Sequence, residues 1–314
     1  RRSVLGFPYA VVKKSGDDGG GREAALVTYY GFLSIFPTLL LLVWGFSIAL
    51  AHDTELRDDL IDNLVPADLA PTVTAAVAAL PTSGVPLVIG LLGLLFSGTG
   101  VVMSVYVTLN HLAGVPHRER FDFFPRYARI FAVLVVVLLS AVAVAVLGLL
   151  PSVAAQIPAL SEVMARAGVS VLVLAVGSAI VIFVMLLVCV RLLVCRPVRV
   201  AAVWPGALLG AVIGTVVLAI GAQVLTVLVQ RAGAVYGTFA TVVGLFSLLY
   251  LVSQGLVYSA EVAIVRRRRL WPRALDSSRP TAADRQVLTA LGREQERIPR
   301  MRVTTAFVRR GGRG

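Results

Sequence analysis

Six stretches of this chain each run for about twenty residues or more with scarcely a charge, and no other property of the sequence narrows its folds as much. They are Leu26 to Leu50, Val85 to Leu109, Tyr127 to Leu150, Val169 to Val190, Ala201 to Val229 and Tyr236 to Val265; the last alone holds a carboxylate, Glu261. A bilayer core about 30 Å thick is crossed by roughly 20 apolar residues in a helix, which satisfies its own backbone there. Composition agrees: 58% of the 314 residues are hydrophobic and only 15% charged, against about a quarter charged in a soluble domain. That excludes a disordered chain, a collagen-like one and a disulfide-stapled secreted domain. The expected fold is all-α, a polytopic membrane protein with six transmembrane helices in a bundle. The Ala49-Leu50-Ala51 sequence imitates a signal-peptidase site, but the run before it is too long for a signal peptide's apolar region of about 7–15 residues.

Charge orients the spans, because Lys and Arg concentrate on the cytoplasmic side. Arg1, Arg2, Lys13, Lys14 and Arg22 precede the first span, whereas the loop from Ala51 to Gly84 carries six acids against the single Arg57. Arg118, Arg120 and Arg126 follow the second span; Arg191, Arg196 and Arg199 follow the fourth; fourteen arginines against four acids follow Val265. Basic and non-basic loops alternate throughout, so both termini are expected in the cytoplasm. The domain organisation is then a cytoplasmic N-terminal segment (1–25), a six-helix membrane domain (26–265) and a basic cytoplasmic tail (266–314). The opening at Arg1 without Met leaves room for residues upstream.

Outside the bilayer, Leu56, Leu60, Ile61 and Leu64, then Val73, Val77 and Leu80, and finally Val153, Ile157, Leu160 and Met164 recur at helical spacing. They predict short amphipathic helices resting on the outer face. In the tail, Thr281 followed by Asp284 predicts a capped helix reaching Arg297. Cys189 and Cys195 read as membrane packing residues rather than a disulfide in a reducing compartment.

Polar side chains inside the spans are the candidates for function, since lipid penalises them. Ser247, Tyr250, Gln254, Tyr258 and Glu261 fall within about 80° of one another at 100° per residue. They form either the wall of a polar route or an interhelical hydrogen-bond network. Ser97, Ser104 and Thr108 line one face of the second span, continued by Asn110, and Tyr30, Ser34 and Pro37 share a face of the first. Gly206, Gly210 and Gly214 form a close-packing row on the fifth. Arg191 ends the fourth span at the depth of Glu261, so a pair between them is geometrically available. These residues make up the candidate polar pathway. Arg266, Arg267, Arg268 and Arg269 are the candidate contact for anionic lipid headgroups, at about 1 kcal/mol each. Neither an aromatic platform nor a reader motif accompanies them, so nucleic acid is not the expected partner. No metalloprotease motif, zinc-spaced cysteines, phosphate-binding loop or nucleophile elbow occurs. The expectation is a chain that is not an enzyme and needs no cofactor. A homo-oligomer stays open.

Several blocks carry a family resemblance. Asp17-Asp18, Ala24 through Tyr30 and Leu33 through Pro37 come first; Ser97 through Gly100 leads to Leu109-Asn110 and Arg118; Pro205-Gly206-Ala207 follows; Tyr236-Gly237 leads to Tyr250 and Ala260-Glu261. Together they resemble the YihY / virulence factor BrkB family of inner-membrane proteins, over about Phe7 to Val265. Ser259 departs from that family's usual Gly-Ala-Glu in the last span, which loosens any expectation of close backbone contact there. The resemblance implies a six-helix protein of the bacterial cytoplasmic membrane. The family's old ribonuclease label finds no set of nuclease ligands here, whereas its association with envelope lipid handling fits a transporter or lipid flippase with Glu261 as an ion-coupling or headgroup-sensing group. The alternative is a non-transporting envelope scaffold that recruits a partner.

Overall fold

The computed structural model describes residues 6–52, 84–155, 169–231, 236–276 and 278–307. Among them are eight α-helices and no strand: α1 (Gly6–Asp17), α2 (Gly20–His52), α3 (Val85–Leu112), α4 (Phe123–Ala155), α5 (Val169–Leu193), α6 (Val200–Arg231), α7 (Tyr236–Arg268) and α8 (Ala282–Glu294). Six of these, α2 to α7, are long and apolar enough to cross a membrane. The amphipathic stretches predicted over 56–64 and 73–80, and the one continuing from Val153 through Ile157 to Met164, lie outside the described residues or have no described side chains.

The chain divides into two compact units, one of residues 29–101 and one of residues 1–28 with 102–314. In the smaller unit, α2 and α3 meet through the two faces singled out above. A Cβ on Gly100 would stand 2.5 Å from the Tyr30 ring, and one on Gly93 would stand 2.9 Å from the ring of Pro37. These faces therefore fill one another. The Ser34 and Ser97 hydroxyls donate back to the carbonyls of Gly31 and Gly93 in their own helices, a local arrangement that leaves no donor for a solute.

In the larger unit, α4 packs on α5, α5 on α6, α6 on α7 and α7 on α1. Lipid supplies no hydrophobic drive between helices, so contact there depends on small residues that let backbones touch. Gly206 does this in the extreme, since a Cβ would lie 2.1 Å from the Ser259 carbonyl oxygen. The close backbone contact expected to be loosened at Ser259 is thus present, and the glycine on α6 creates it. Gly210 faces Leu186 and Ser259, and Gly214 meets Ile182 only at ordinary contact distance.

Both ends of the chain pack onto the larger unit. In the N-terminal segment α1 buries Ala10 and Val11 against Val265, Leu270 and Val287, and α2 begins at Gly20. Gly19 makes the turn between α1 and α2 at φ 66°, a conformation that glycine adopts without a Cβ penalty. The tail likewise docks through Val287 of α8. Outside lipid such burial does drive association, at about 1.5–3 kcal/mol for a Val or Leu. The Thr281 cap is as read, with its hydroxyl accepting from the Asp284 N–H and the Asp284 side chain returning to the Thr281 N–H.

Candidate functional site

The site lies where α1, α3, α7 and α8 converge, at the end of the larger unit that carries Arg266 to Arg269. Glu261 of α7 is fully buried, and its nearest cation is Lys14 of α1, with Nζ 2.9 Å from Oε2. Arg191 is exposed at the end of α5 and is not the partner. Lys14 donates 3.1 Å to the Leu112 carbonyl at the end of α3 and pairs with Asp18 one turn along α1. It thereby joins α1, α3 and α7. Asp18 and Leu112 take two of its three donors; the Glu261 contact is an ion pair, and neither Glu261 oxygen has an aligned hydrogen-bond donor. The three charged side chains are 4%, 2% and 0% exposed, so water contributes almost nothing to their solvation. The adjoining hollow, lined by Lys14, Asp18, His111 and Arg268, is about 10 Å³, which admits a single water at most.

A second layer closes over the first. His111 reaches the Asp18 carbonyl through Nε2 at 2.9 Å and Glu294 through Nδ1 at 2.7 Å. Arg120 holds the other Glu294 oxygen at 2.6 Å, and Arg118 holds Glu296 at 2.9 Å. Asp284 takes Arg273 at 2.6 Å and Lys13 at 3.1 Å, while Arg273 also pairs with Asp17. Partial burial opposes the charge on Asp284, but the Thr281 hydroxyl, the Ala274 N–H and Arg273 outweigh it and hold the carboxyl well below the usual carboxylate range. Three of the tail's four acids, Asp284, Glu294 and Glu296, are therefore used to dock it.

The other candidates disperse. Gln254 donates to the Tyr250 hydroxyl, and both sit beside Gly21 at the start of α2. Tyr258 packs with the α1 cluster, and Ser247 is exposed and donates to its own helix. The predicted stripe is thus a contact face for α1 and the start of α2 below Ser247, and no continuous polar cavity runs along it among the described residues. Thr108 donates to Glu23 at 2.9 Å. Ser104 is buried. Asn110, also fully buried, donates to Tyr106 and Leu193 carbonyls and accepts from the Cys195 N–H, fastening the end of α5. Arg266 lies over the Trp204 ring, Arg267 donates to the Pro197 carbonyl and Arg268 to that of Ala113; Arg269 is exposed.

Lys14, Asp18, Glu23 and Ser253, which accepts from Thr28 at 3.0 Å, went unread as site residues. The readable signal was in α1, where Ala10, Val11, Lys14 and Asp18 repeat at helical spacing with a Lys-to-Asp pair four apart.

The family model described as virulence factor BrkB matches residues 11–284. The chain belongs to the BrkB family. No curated protein and no solved structure matches it. The matched stretch begins within α1, just before Lys14, and ends at Asp284, so it takes in the Lys14–Asp18–Glu261 cluster and the first residues of the docked tail helix.

Proposed function

We propose that this BrkB-family chain is a transporter or lipid flippase of the bacterial cytoplasmic membrane, acting in envelope maintenance and closed at its cytoplasmic end by the Lys14–Glu261 lock. Both termini lie in the cytoplasm on this reading, as the alternation of basic loops requires. The observation that carries it is Glu261, a fully buried carboxylate within an apolar helix whose counter-ion comes from a separate cytoplasmic helix. Ionisable groups at such positions mark pathways and couplings by default, because lipid makes them costly to keep for packing alone. The lock is held by charge across two elements, so protonation or ligand binding can release it without breaking a covalent or helical structure. No enzymatic step and no cofactor is part of this reading.

The test is flux of labelled phospholipid across vesicles reconstituted with the purified chain. Glu261→Gln, which removes the ionic hold between α1 and α7, is expected to raise flux above that of the unaltered chain without lowering the amount of folded protein; flux equal to the unaltered chain's sinks the assignment. A scaffold is the second reading, and the hollow of only about 10 Å³ beside Lys14 and Asp18 favours it, since so tight a closure leaves no route there as it stands. It predicts that removing residues 266–314 harms function more than any change at Glu261.

A further inference from the structure

An apolar depression of the larger unit lies beside the charged lock rather than within it. It opens between α5, α6 and α7, with an innermost space of about 50 Å³ and about 580 Å³ out to its mouth. Leu186, Val190, Val203, Ala207, Ala260 and Ile264 line it. Its depth has a sequence cause: Gly206 brings the α6 and α7 backbones into contact at Ser259, while Ala207 and Ala260 beside that contact are too small to fill the space.

The depression ends at Arg267, which is also a wall of a neighbouring hollow of about 240 Å³. The two share Ala113, Val194 and Ile264 as well, and the hollow adds Arg196 and Arg268. Of its three guanidinium groups, Arg196 pairs with Glu119 at 2.7 Å and Arg268 feels the charge of Asp18 across the small hollow they both line. Among the described residues, no carboxylate lies within 4.0 Å of Arg267 or Arg268. Each spends one donor on a backbone carbonyl, and a guanidinium has five. An apolar slot that runs into a cluster of guanidinium groups with net positive charge, at the end of membrane-crossing helices, is complementary to an amphiphile with an anionic head.

We propose that this slot and hollow form one binding site for an anionic phospholipid, with an acyl chain in the slot and the phosphate on Arg196, Arg267 and Arg268. The site deepens the flippase reading by naming its substrate class, and rests on that reading for its purpose, but its occupancy is measurable without any flux. A soluble anion would use the hollow and ignore the slot. A zwitterionic lipid would use the slot and leave the arginines uncompensated.

Native mass spectrometry of the full chain in detergent, titrated with phosphatidylglycerol, phosphatidylcholine or glycerol phosphate, separates these cases. Phosphatidylglycerol is expected to bind with one tight site and to be preferred over both other probes by about tenfold or more. Arg267→Gln, at an exposed position, is expected to weaken phosphatidylglycerol about fivefold to tenfold while leaving phosphatidylcholine unchanged. Val190→Phe, which fills the slot, is expected to remove the preference over glycerol phosphate; should it not fold, Arg267→Gln tests the head half alone. Equal binding of the two lipids, equal binding of glycerol phosphate, or an Arg267→Gln variant with unaltered phosphatidylglycerol affinity overturns the site. Tight phosphatidylglycerol binding by a chain that gives no flux refutes the flippase reading and leaves the site standing; flux without that binding does the reverse.

Discussion

Glu261 was legible from sequence alone because a carboxylate in an apolar run is an anomaly whatever surrounds it. Lys14 was not, since Lys13 and Lys14 both read as ordinary cytoplasmic charges, and nothing in their spacing says which one turns inward. The structure separates them: Lys14 is 3% exposed, whereas Lys13 reaches out to Asp284 and the Ala274 carbonyl. The same blindness produced the Arg191 expectation, which matched depth but had no knowledge that α1 supplies the cation. Removing Lys14 strands two buried carboxylates, Asp18 and Glu261, at about 3–5 kcal/mol, whereas neutralising Glu261 leaves Lys14 paired with Asp18. Lys14→Met is therefore expected to destabilise the chain by about that much, and adding Glu261→Gln should recover a large part of the loss. Denaturation of the single and double variants in detergent checks this; strictly additive losses would mean that the two side chains do not act as a pair.

At the scale of elements, α8 was readable down to its cap because Thr281 and Asp284 mark a helix start by side-chain chemistry that needs no partner. Its docking was not readable, since Glu294 and Glu296 pair with residues of the distant α3–α4 connection. Asp284 makes that docking pH-dependent in a defined sense. Its carboxyl titrates lower when docked than when free, so the stabilisation is fully present above the free value of about 3.9 and is lost as pH falls through the lower docked value. Protection of the α8 amides, corrected for the intrinsic pH dependence of exchange, should thus fall in acid below about pH 4, and Asp284→Ala should lower it already at neutral pH. The glycine row on α6 shows another limit of pattern reading: three equivalent positions in sequence are unequal in packing. Gly206→Ala is expected to lower the melting temperature by several degrees, because the new Cβ would meet a backbone oxygen, while Gly214→Ala should change it little. A reversed order would contradict the α6–α7 contact described.

For the molecule as a whole, the six spans could be counted in the sequence because lipid forces each helix to satisfy its own backbone, which leaves an uninterrupted apolar record. What those spans enclose could not be counted, because a polar stripe looks the same whether it borders a cavity or another helix. The stripe of α7 below Ser247 receives α1 and the start of α2, so the N-terminal helix covers this end of the larger unit. On the proposed transporter reading, α1 must move away from α7. The most direct measurement is lipid flux in vesicles for a chain with Cys189 and Cys195 replaced by Ala and with Val11→Cys and Val265→Cys placed in the shared α1–α7 cluster. Oxidation should stop flux and reduction should restore it in the same vesicles. Flux that is indifferent to a completed cross-link would contradict the lock.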